Sequence, residues 1–333
     1  MWYTHLVRPI LFRSEPEAAH DFAIRASTIA ARIPGLCEIV RAVVRPKPKP
    51  VKLLGLTFPN PVGLAGGMDK NAAAPLAWWA MGFGFVELGT VTPLPQEGNV
   101  GPRMFRLPTE NALINRMGFN NAGAVAVAAR LKHQTEAGQR PRFPIGVSLG
   151  KNKLTPDDRT AADYAACAHL LGPHADFLSI NVSSPNTPGL RALQTPQWLS
   201  KLVTVVLEAG PAKPTLVKVA PELDGDELRA AADAVMAAGA AGVIATNTLA
   251  CTAPTGEPAG KSGAPLRDIA LQRVSLLRKH LGDAAAIIGV GGVACADSAQ
   301  RMLDAGADLV QVYTALVYEG PFLPVAITRR LRS

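Results

Sequence analysis

Asp176-Phe-Leu-Ser-Ile-Asn-Val-Ser-Ser-Pro-Asn-Thr-Pro-Gly-Leu-Arg191 decides how the rest of the chain is read. An apolar strand, Asp176 to Ile180, runs straight into amides, hydroxyls and two prolines. Polar groups at a strand's end must find partners or meet a ligand. Asn181 and Asn186 each offer a donor and an acceptor, and Ser184 sits between them as a candidate proton acceptor. The same letters also spell an ordinary Ser/Asn/Pro turn. The segment gains meaning only if other strands end alike.

They do. From residue 51 onward, short apolar runs alternate with helix-period segments. The predicted strands are 62–65, 83–88, 145–148, 177–180, 215–219, 242–245, 287–289 and 309–312, with helices over 124–132, 161–171, 199–209, 226–238 and 269–281. Eight βα units point to a (β/α)8 TIM barrel. A doubly wound open sheet is the alternative, but no G-x-G-x-x-G follows the first strand. Function in a barrel belongs at the C-terminal strand ends. Those ends read Gly66-Gly-Met-Asp-Lys70, Gly89-Thr90, Ser148-Leu-Gly-Lys-Asn-Lys153, Asn181 onward, Lys218, Thr246-Asn-Thr248, Gly289-Val-Gly-Gly292 and Tyr313-Thr314. Ligand-like residues at every end imply a large polar ligand, or a cofactor and a substrate together.

Each piece also has a plain reading. Gly66-Gly67 is a tight turn, though one that lets backbone approach a flat ligand. Lys70 alone reads as a solvated lysine. Lys218 is different, because it interrupts an otherwise apolar strand and needs an anionic partner or a depressed pKa. Gly291-Gly292 and Tyr313-Thr314 occupy the position where such barrels cradle a phosphate.

The chain has 333 residues, 48% of them hydrophobic and 18% charged, enough for one large α/β domain or two smaller ones. Cys37, Cys167, Cys251 and Cys295 are far apart and form no C-x-x-C pair, so they read as buried thiols, with no metal site expected. Net charge is +8. Residues 1–50 hold eight Arg/Lys against four Asp/Glu, so +4 of it comes from that segment. No nucleic-acid motif accompanies the charge, which favours an anionic membrane surface. No apolar run approaches the roughly 18–20 residues that a span requires. Residues 1–45 read as two short helices, the second starting at Pro16 after Ser14, with Phe22, Ala26, Ile29 and Ile33 at helical spacing. Either they pack on their own domain or they form an interfacial lid facing lipid. Arg45-Pro-Lys-Pro-Lys-Pro50 reads as a stiff linker over 46–50, and 51–333 as the barrel. A peripheral monomer on the cytoplasmic face of the cell membrane is expected.

Taken together, Gly66–Lys70, Asn115-Arg-Met-Gly-Phe-Asn-Asn121, Asn181–Arg191, Lys218-Val-Ala-Pro221, Thr246–Thr248 and Gly289–Gly292 resemble the dihydroorotate dehydrogenases. The resemblance covers nearly the whole chain and is nearest to the membrane-associated, quinone-reducing class (class 2). It implies an FMN enzyme of pyrimidine biosynthesis that oxidises (S)-dihydroorotate to orotate and passes electrons to ubiquinone or another membrane quinone. It implies FMN contacts at Gly66, Gly67, Met68, Asp69, Lys70, Thr90, Ser148, Asn181, Lys218, Thr246, Gly263, Gly292, Tyr313 and Thr314. Orotate contacts are implied at Lys70, Asn115, Arg116, Met117, Gly118, Phe119, Asn181, Asn186, Asn247 and Thr248. Ser184 matches the catalytic base, and His20 and Arg106 are implied to flank the quinone headgroup beside Tyr313. One departure stands out: Ser148 occupies a position where the class usually has Asn, and a hydroxyl is shorter than an amide. Two other readings compete: a Schiff-base aldolase using Lys218, and a membrane-surface scaffold with a vestigial barrel.

Overall fold

The computed structural model describes residues 3–44, 46–187 and 189–332; Arg45, just before the expected linker, and Pro188, in the polar segment after the fourth predicted strand, lie outside them. Eight parallel strands close into a barrel in chain order: β1 (Val62–Leu64), β2 (Phe85–Val91), β3 (Ile145–Leu149), β4 (Phe177–Asn181), β5 (Thr215–Val219), β6 (Gly242–Ala245), β7 (Ala286–Val290) and β8 (Leu309–Val312). The strands are buried along their whole length, as expected when helices cover the outer face and side chains fill the inner one.

Inward-facing residues recur every second position, so each strand is read upward in steps of two. The lowest step is apolar and interlocked. A Cβ at Gly63 would stand 2.2 Å from the Phe85 ring, and one at Gly146 would stand 2.1 Å from the Phe177 ring. Each phenylalanine thus occupies the space that its neighbouring strand leaves open. Below them, a hairpin (Val51–Leu53 and Leu56–Phe58) sets the Phe58 ring edge-on to Phe85, with centroids 5.4 Å apart. One step up, β2 and β4 place Glu87 and Ser179, and β4 then ends at Asn181.

The five expected helices appear as Ala124–Glu136, Thr160–Leu171, Pro196–Ala209, Gly225–Ala237 and Arg267–Leu281. Strand β2 begins two residues later than expected, because Gly84 packs on the Asn60 backbone, with no room for a Cβ (2.0 Å to the Asn60 carbonyl oxygen). The sequence reading did not anticipate a four-stranded antiparallel sheet, in the order Leu249–Thr252, Pro258–Gly263, Ala112–Asn115 and Met104–Leu107. Its strands come from the insertions after β2 and β6, and Asn115 and Gly263 lie at strand ends within it.

The N-terminal region holds three helical pieces where two were expected: residues 3–11, Pro16–Arg32 and Leu36–Val44. Glu15, and not Ser14, caps the second, accepting from the Ala18 N–H at 2.8 Å, with Pro16 in the first helical position. Polar clasps fasten these helices to the barrel. Arg103 grips Glu17 in bidentate fashion (2.6–2.9 Å). Arg41 donates to the Trp79 carbonyl (2.6 Å) and lies over its ring. The cysteines are only partly as expected: Cys37 and Cys167 are buried, Cys251 is intermediate and Cys295 is exposed. Cys295 starts the helix Ala296–Asp304, where Ser298 accepts from its backbone N–H at 2.9 Å, and a helix's first residue faces outward here.

Candidate active site

At the C-terminal end of the barrel, one cavity is lined by Ala65, Gly66, Gly67 and Lys70 after β1, Thr90 on β2, Asn181, Ser184 and Asn186 after β4, and Lys218 on β5. Thr246–Thr248 after β6, Val290–Ala294 after β7, and Gln311 and Tyr313–Ala315 from β8 complete the ring. Asn115, Met117, Gly118, Phe119, Ser262 and Gly263 close it from the overlying loops and sheet. Seven of the eight strands therefore contribute. The expectation that all eight do so fails at β3.

There, Ser148 is buried, and its hydroxyl stops at the Thr90 hydroxyl, 3.1 Å away. Thr90 Oγ1 also accepts from Asn181 Nδ2 at 2.7 Å, so Ser148 reaches the cavity wall only through Thr90. The lysine and asparagine that follow are committed elsewhere. Lys151 pairs with Asp157 (3.0 Å), and Asn152 ties together Thr92, Leu94 and Gln96.

Three further expected contacts point away from the cavity. Met68 packs in the hydrophobic core. Asp69 is fully buried and accepts from the Ala73 and Ala74 N–H groups and from the Trp78 indole, tying the turn before the helix Pro75–Ala80 to that helix. Arg116 binds the carbonyl of Val100 (2.7 Å) and the carboxylate of Glu257 (3.2 Å), bracing the loops behind Met117.

The segment that opened the reading is held by a dense polar web. Asn181 Oδ1 accepts from Asn247 Nδ2 (3.2 Å), and the Tyr164 hydroxyl donates to the Asn181 carbonyl (2.8 Å). Asn186 Nδ2 donates to Asn115 Oδ1 at 2.8 Å, while Asn186 Oδ1 is buried with no partner. Arg191 clamps the loop, donating to the Ser183 carbonyl (3.0 Å) and the Thr248 carbonyl (2.7 Å) and pairing with Glu222 (2.9 Å). Ser184 is 5% exposed, and its Oγ accepts from the Asn186 N–H at 3.2 Å.

The anionic partner that Lys218 requires is Glu87, across the barrel interior at 3.1 Å. Burial pushes the Glu87 carboxyl up, but Lys218 and the Ser179 and Gln311 donors outweigh it and hold the group below the usual carboxylate range. A lysine locked in this pair is a poor Schiff-base nucleophile, which removes the ground for the aldolase reading.

Two more groups missed in the sequence shape the cavity. Arg267 donates to the Gly292 carbonyl (3.1 Å), placing a fixed cation at the Gly291-Gly292 end. Gln311 Oε1 is buried without a partner.

At the mouth, burial lowers Lys70 to about 8, with Glu17 pulling the other way. Burial, with Lys70 nearby, lowers His20 to about 3, so its ring is neutral at physiological pH. Burial raises Tyr313 to about 12, and Glu17 adds to it. Arg106 stacks on Phe12 (4.7 Å) and donates to the carbonyls of Ser14 (2.8 Å) and Leu11 (3.3 Å). It thereby fastens the turn between the first two helical pieces. His20 and Arg106 do not line the cavity itself.

Residues 50–333 match the family model described as dihydroorotate dehydrogenase. The chain belongs to this family. Its relatives include the dihydroorotate dehydrogenase (quinone) of Salinispora arenicola, 46% identical over all of both chains, and that of Marinobacter nauticus, 45% identical over 96% of this chain and 95% of the relative. Among solved structures, the ligand-free DHODH of Eimeria tenella superposes with a TM-score of 0.86 at 37% identity, covering 94% of this chain and 93% of that one. A DHODH from the same organism in complex with ferulenol gives 0.84 at 35%, covering 94% and 90%. The barrel described above is thus shared with solved structures of the family.

Proposed function

We propose that this protein is a dihydroorotate:quinone oxidoreductase that uses FMN, oxidising (S)-dihydroorotate to orotate in pyrimidine biosynthesis. The observation that carries the reading is the convergence of Ser184, of Asn115, Asn181, Asn186 and Asn247, and of Lys70 and Lys218 on one cavity.

The donor set suits FMN. Gly66-Gly67 and the amide of Asn181 offer a flat, polar seat, Lys218 offers a cation, and Gly291-Gly292 with Arg267 offers a phosphate end. Thr90, Thr246, Gly263, Tyr313 and Thr314 complete that seat. Bound FMN supplies a two-electron carrier between the two substrates. Lys70 faces the pyrimidine carboxylate. Asn115, Asn181, Asn186 and Asn247, with Thr248, read the alternating N–H and C=O edge of the ring. Ser184 Oγ would accept the C5 proton while its own hydroxyl proton passes to solvent through a water relay, and the Asn186 N–H that donates to Oγ would stabilise the negative charge that gathers as that proton leaves. Bulk water is kept out by the clamped loop over which Ser184 is buried.

The quinone enters beside the Pro16–Arg32 helix, where neutral His20 approaches the Lys70 side of the cavity and Arg106 shapes the turn ahead of it. Seven of the eleven large apolar side chains exposed among the described residues lie within residues 6–43: Leu6, Ile10, Phe22, Ile29, Ile33, Ile39 and Val43, each 50–74% exposed. Phe22, Ile29 and Ile33 share one helical face, with exposed Arg25 and Arg32 nearby. No helix among the described residues is long and apolar enough to cross a membrane. This surface supports peripheral docking on the inner face of the cell membrane, where a quinone is dissolved.

The test is an anaerobic visible spectrum of the purified protein. A flavin band that bleaches with dihydroorotate and returns with a ubiquinone analogue is expected. A band that persists with dihydroorotate overturns the substrate, and the absence of any band after FMN is supplied overturns the cofactor.

A further inference from the structure

Glu87 and Lys218 are the only ionisable side chains on the eight barrel strands. Neither faces solvent, and burying such a pair is costly unless every polar atom is met. Around Glu87 every neighbour donates. Oε1 accepts from the Ser179 hydroxyl (2.7 Å). Oε2 accepts from Lys218 Nζ (3.1 Å), from Gln311 Nε2 (3.0 Å) and from the Gly66 N–H (3.2 Å). Lys218 and the Gly66 N–H can only donate, and the lysine 3.1 Å away holds Glu87 below the usual carboxylate range, so the carboxylate is ionised and acceptor-only.

That fixes Gln311. An amide flipped the other way would press Oε1 against Oε2, two acceptors with no hydrogen between them. The amide therefore gives its NH2 to Glu87 and leaves Oε1 over. This oxygen is buried, has no partner, and belongs to a residue that lines the cavity. Lys218, bonded to the same Glu87 oxygen, lines the cavity too, with further N–H groups to give.

We propose that Glu87 is a positioning residue that aims Lys218 and orients Gln311, so that the cavity floor presents a cation beside an acceptor. Such a floor selects a flat heterocycle in which a ring C=O adjoins a ring N–H: the carbonyl meets Lys218 and the N–H meets Gln311 Oε1. This rests on the flavin reading above, since the imide edge of FMN has that pattern.

The probes are FMN and its N3-methyl derivative, which lacks the N–H, and the readout is the dissociation constant from flavin fluorescence. Wild-type protein should prefer FMN by about tenfold or more, because a site built to hydrogen-bond an N–H rejects the analogue without it. Gln311→Met removes the acceptor while keeping the length of the side chain. Glu87→Gln removes the carboxylate that orients it. In each, the preference should fall below about threefold, since the oriented hydrogen bond is gone. A purely structural role would weaken both probes alike and leave their ratio unchanged. Wild-type discrimination retained in either variant overturns the proposal, and Gln311→Met alone decides it if Glu87→Gln does not fold. A wild-type protein that binds no FMN overturns the flavin reading and this inference with it.

Discussion

The barrel and the N-terminal helices break the usual placement rule in opposite directions. The barrel hides a lysine and a glutamate in its interior, while the helices leave seven large apolar side chains in the open. Charges are rarely buried unless paired, and large apolar side chains gathered on one surface mark a docking site. The barrel's exception is met from within, by a four-donor shell around Glu87. The exception on the helices is left uncovered by the described residues. On the function proposed above, a cofactor would finish one region and a lipid surface the other. The two can therefore be perturbed separately.

The largest effect is expected on the barrel side. Ser184→Ala should lower the rate of flavin reduction by dihydroorotate by a factor on the order of 10²–10⁴, with orotate affinity nearly unchanged. Stopped-flow absorbance reads the first and a titration reads the second. Unchanged reduction would show that the proton goes elsewhere. On the helix side, the triple variant Phe22→Ser, Ile29→Ser, Ile33→Ser should weaken binding to anionic vesicles by on the order of 10²-fold, because each exposed apolar side chain contributes more than about 1 kcal/mol when buried. Its reduction by dihydroorotate should stay within about twofold of wild type. Vesicle co-sedimentation that matches wild type would dissolve the contrast between the two regions.

The smallest effect sits where they meet. Lys70 has its folded value lowered to about 8, chiefly by burial. On the proposed role of Lys70 orotate would need the charged form, so its affinity should be level below that pH and fall by about tenfold per pH unit above it. For stability the sign is the reverse: the unfolded chain holds the extra proton between about 8 and the ordinary lysine value, so Lys70 favours folding more as pH rises through that window. Orotate titrations across pH 7–10 check the first statement, and a flat profile would place the carboxylate on another group.

Much of this could be read in the letters. The eight apolar runs announced the barrel, and the Asn/Ser segment after β4 announced its site. Lys218 even announced its need for an acid. Among the predicted strands Glu87 is the only acid, so the pair was within reach, though its members are 131 residues apart. Gln311 gave no such signal, because a lone glutamine in a strand says nothing until Glu87 is known to face it. The four-stranded sheet was hidden for a related reason. Its strands have four to six residues each, and Asn115 finds its partner at Gly260. Met68 and Asp69 show the converse failure. They sit inside a motif whose other members line the cavity, yet the turn carries them inward, to the core and to the backbone of Ala73 and Ala74. Adjacency in sequence did not fix the direction of a side chain. Ser148 was doubted for its length, and its length is what keeps it behind Thr90.

The interlocked lowest step of the barrel also bears on how such a chain can change over generations. Phe85 fills the space that any side chain at position 63 would need, and Phe177 does the same for position 146. A larger residue at either glycine is tolerated only after its phenylalanine has shrunk, and a shrunken phenylalanine alone leaves a void costing about 3–5 kcal/mol. Each pair is thus inherited as a unit, and a lineage reaches a different floor only by crossing a poorly folded intermediate.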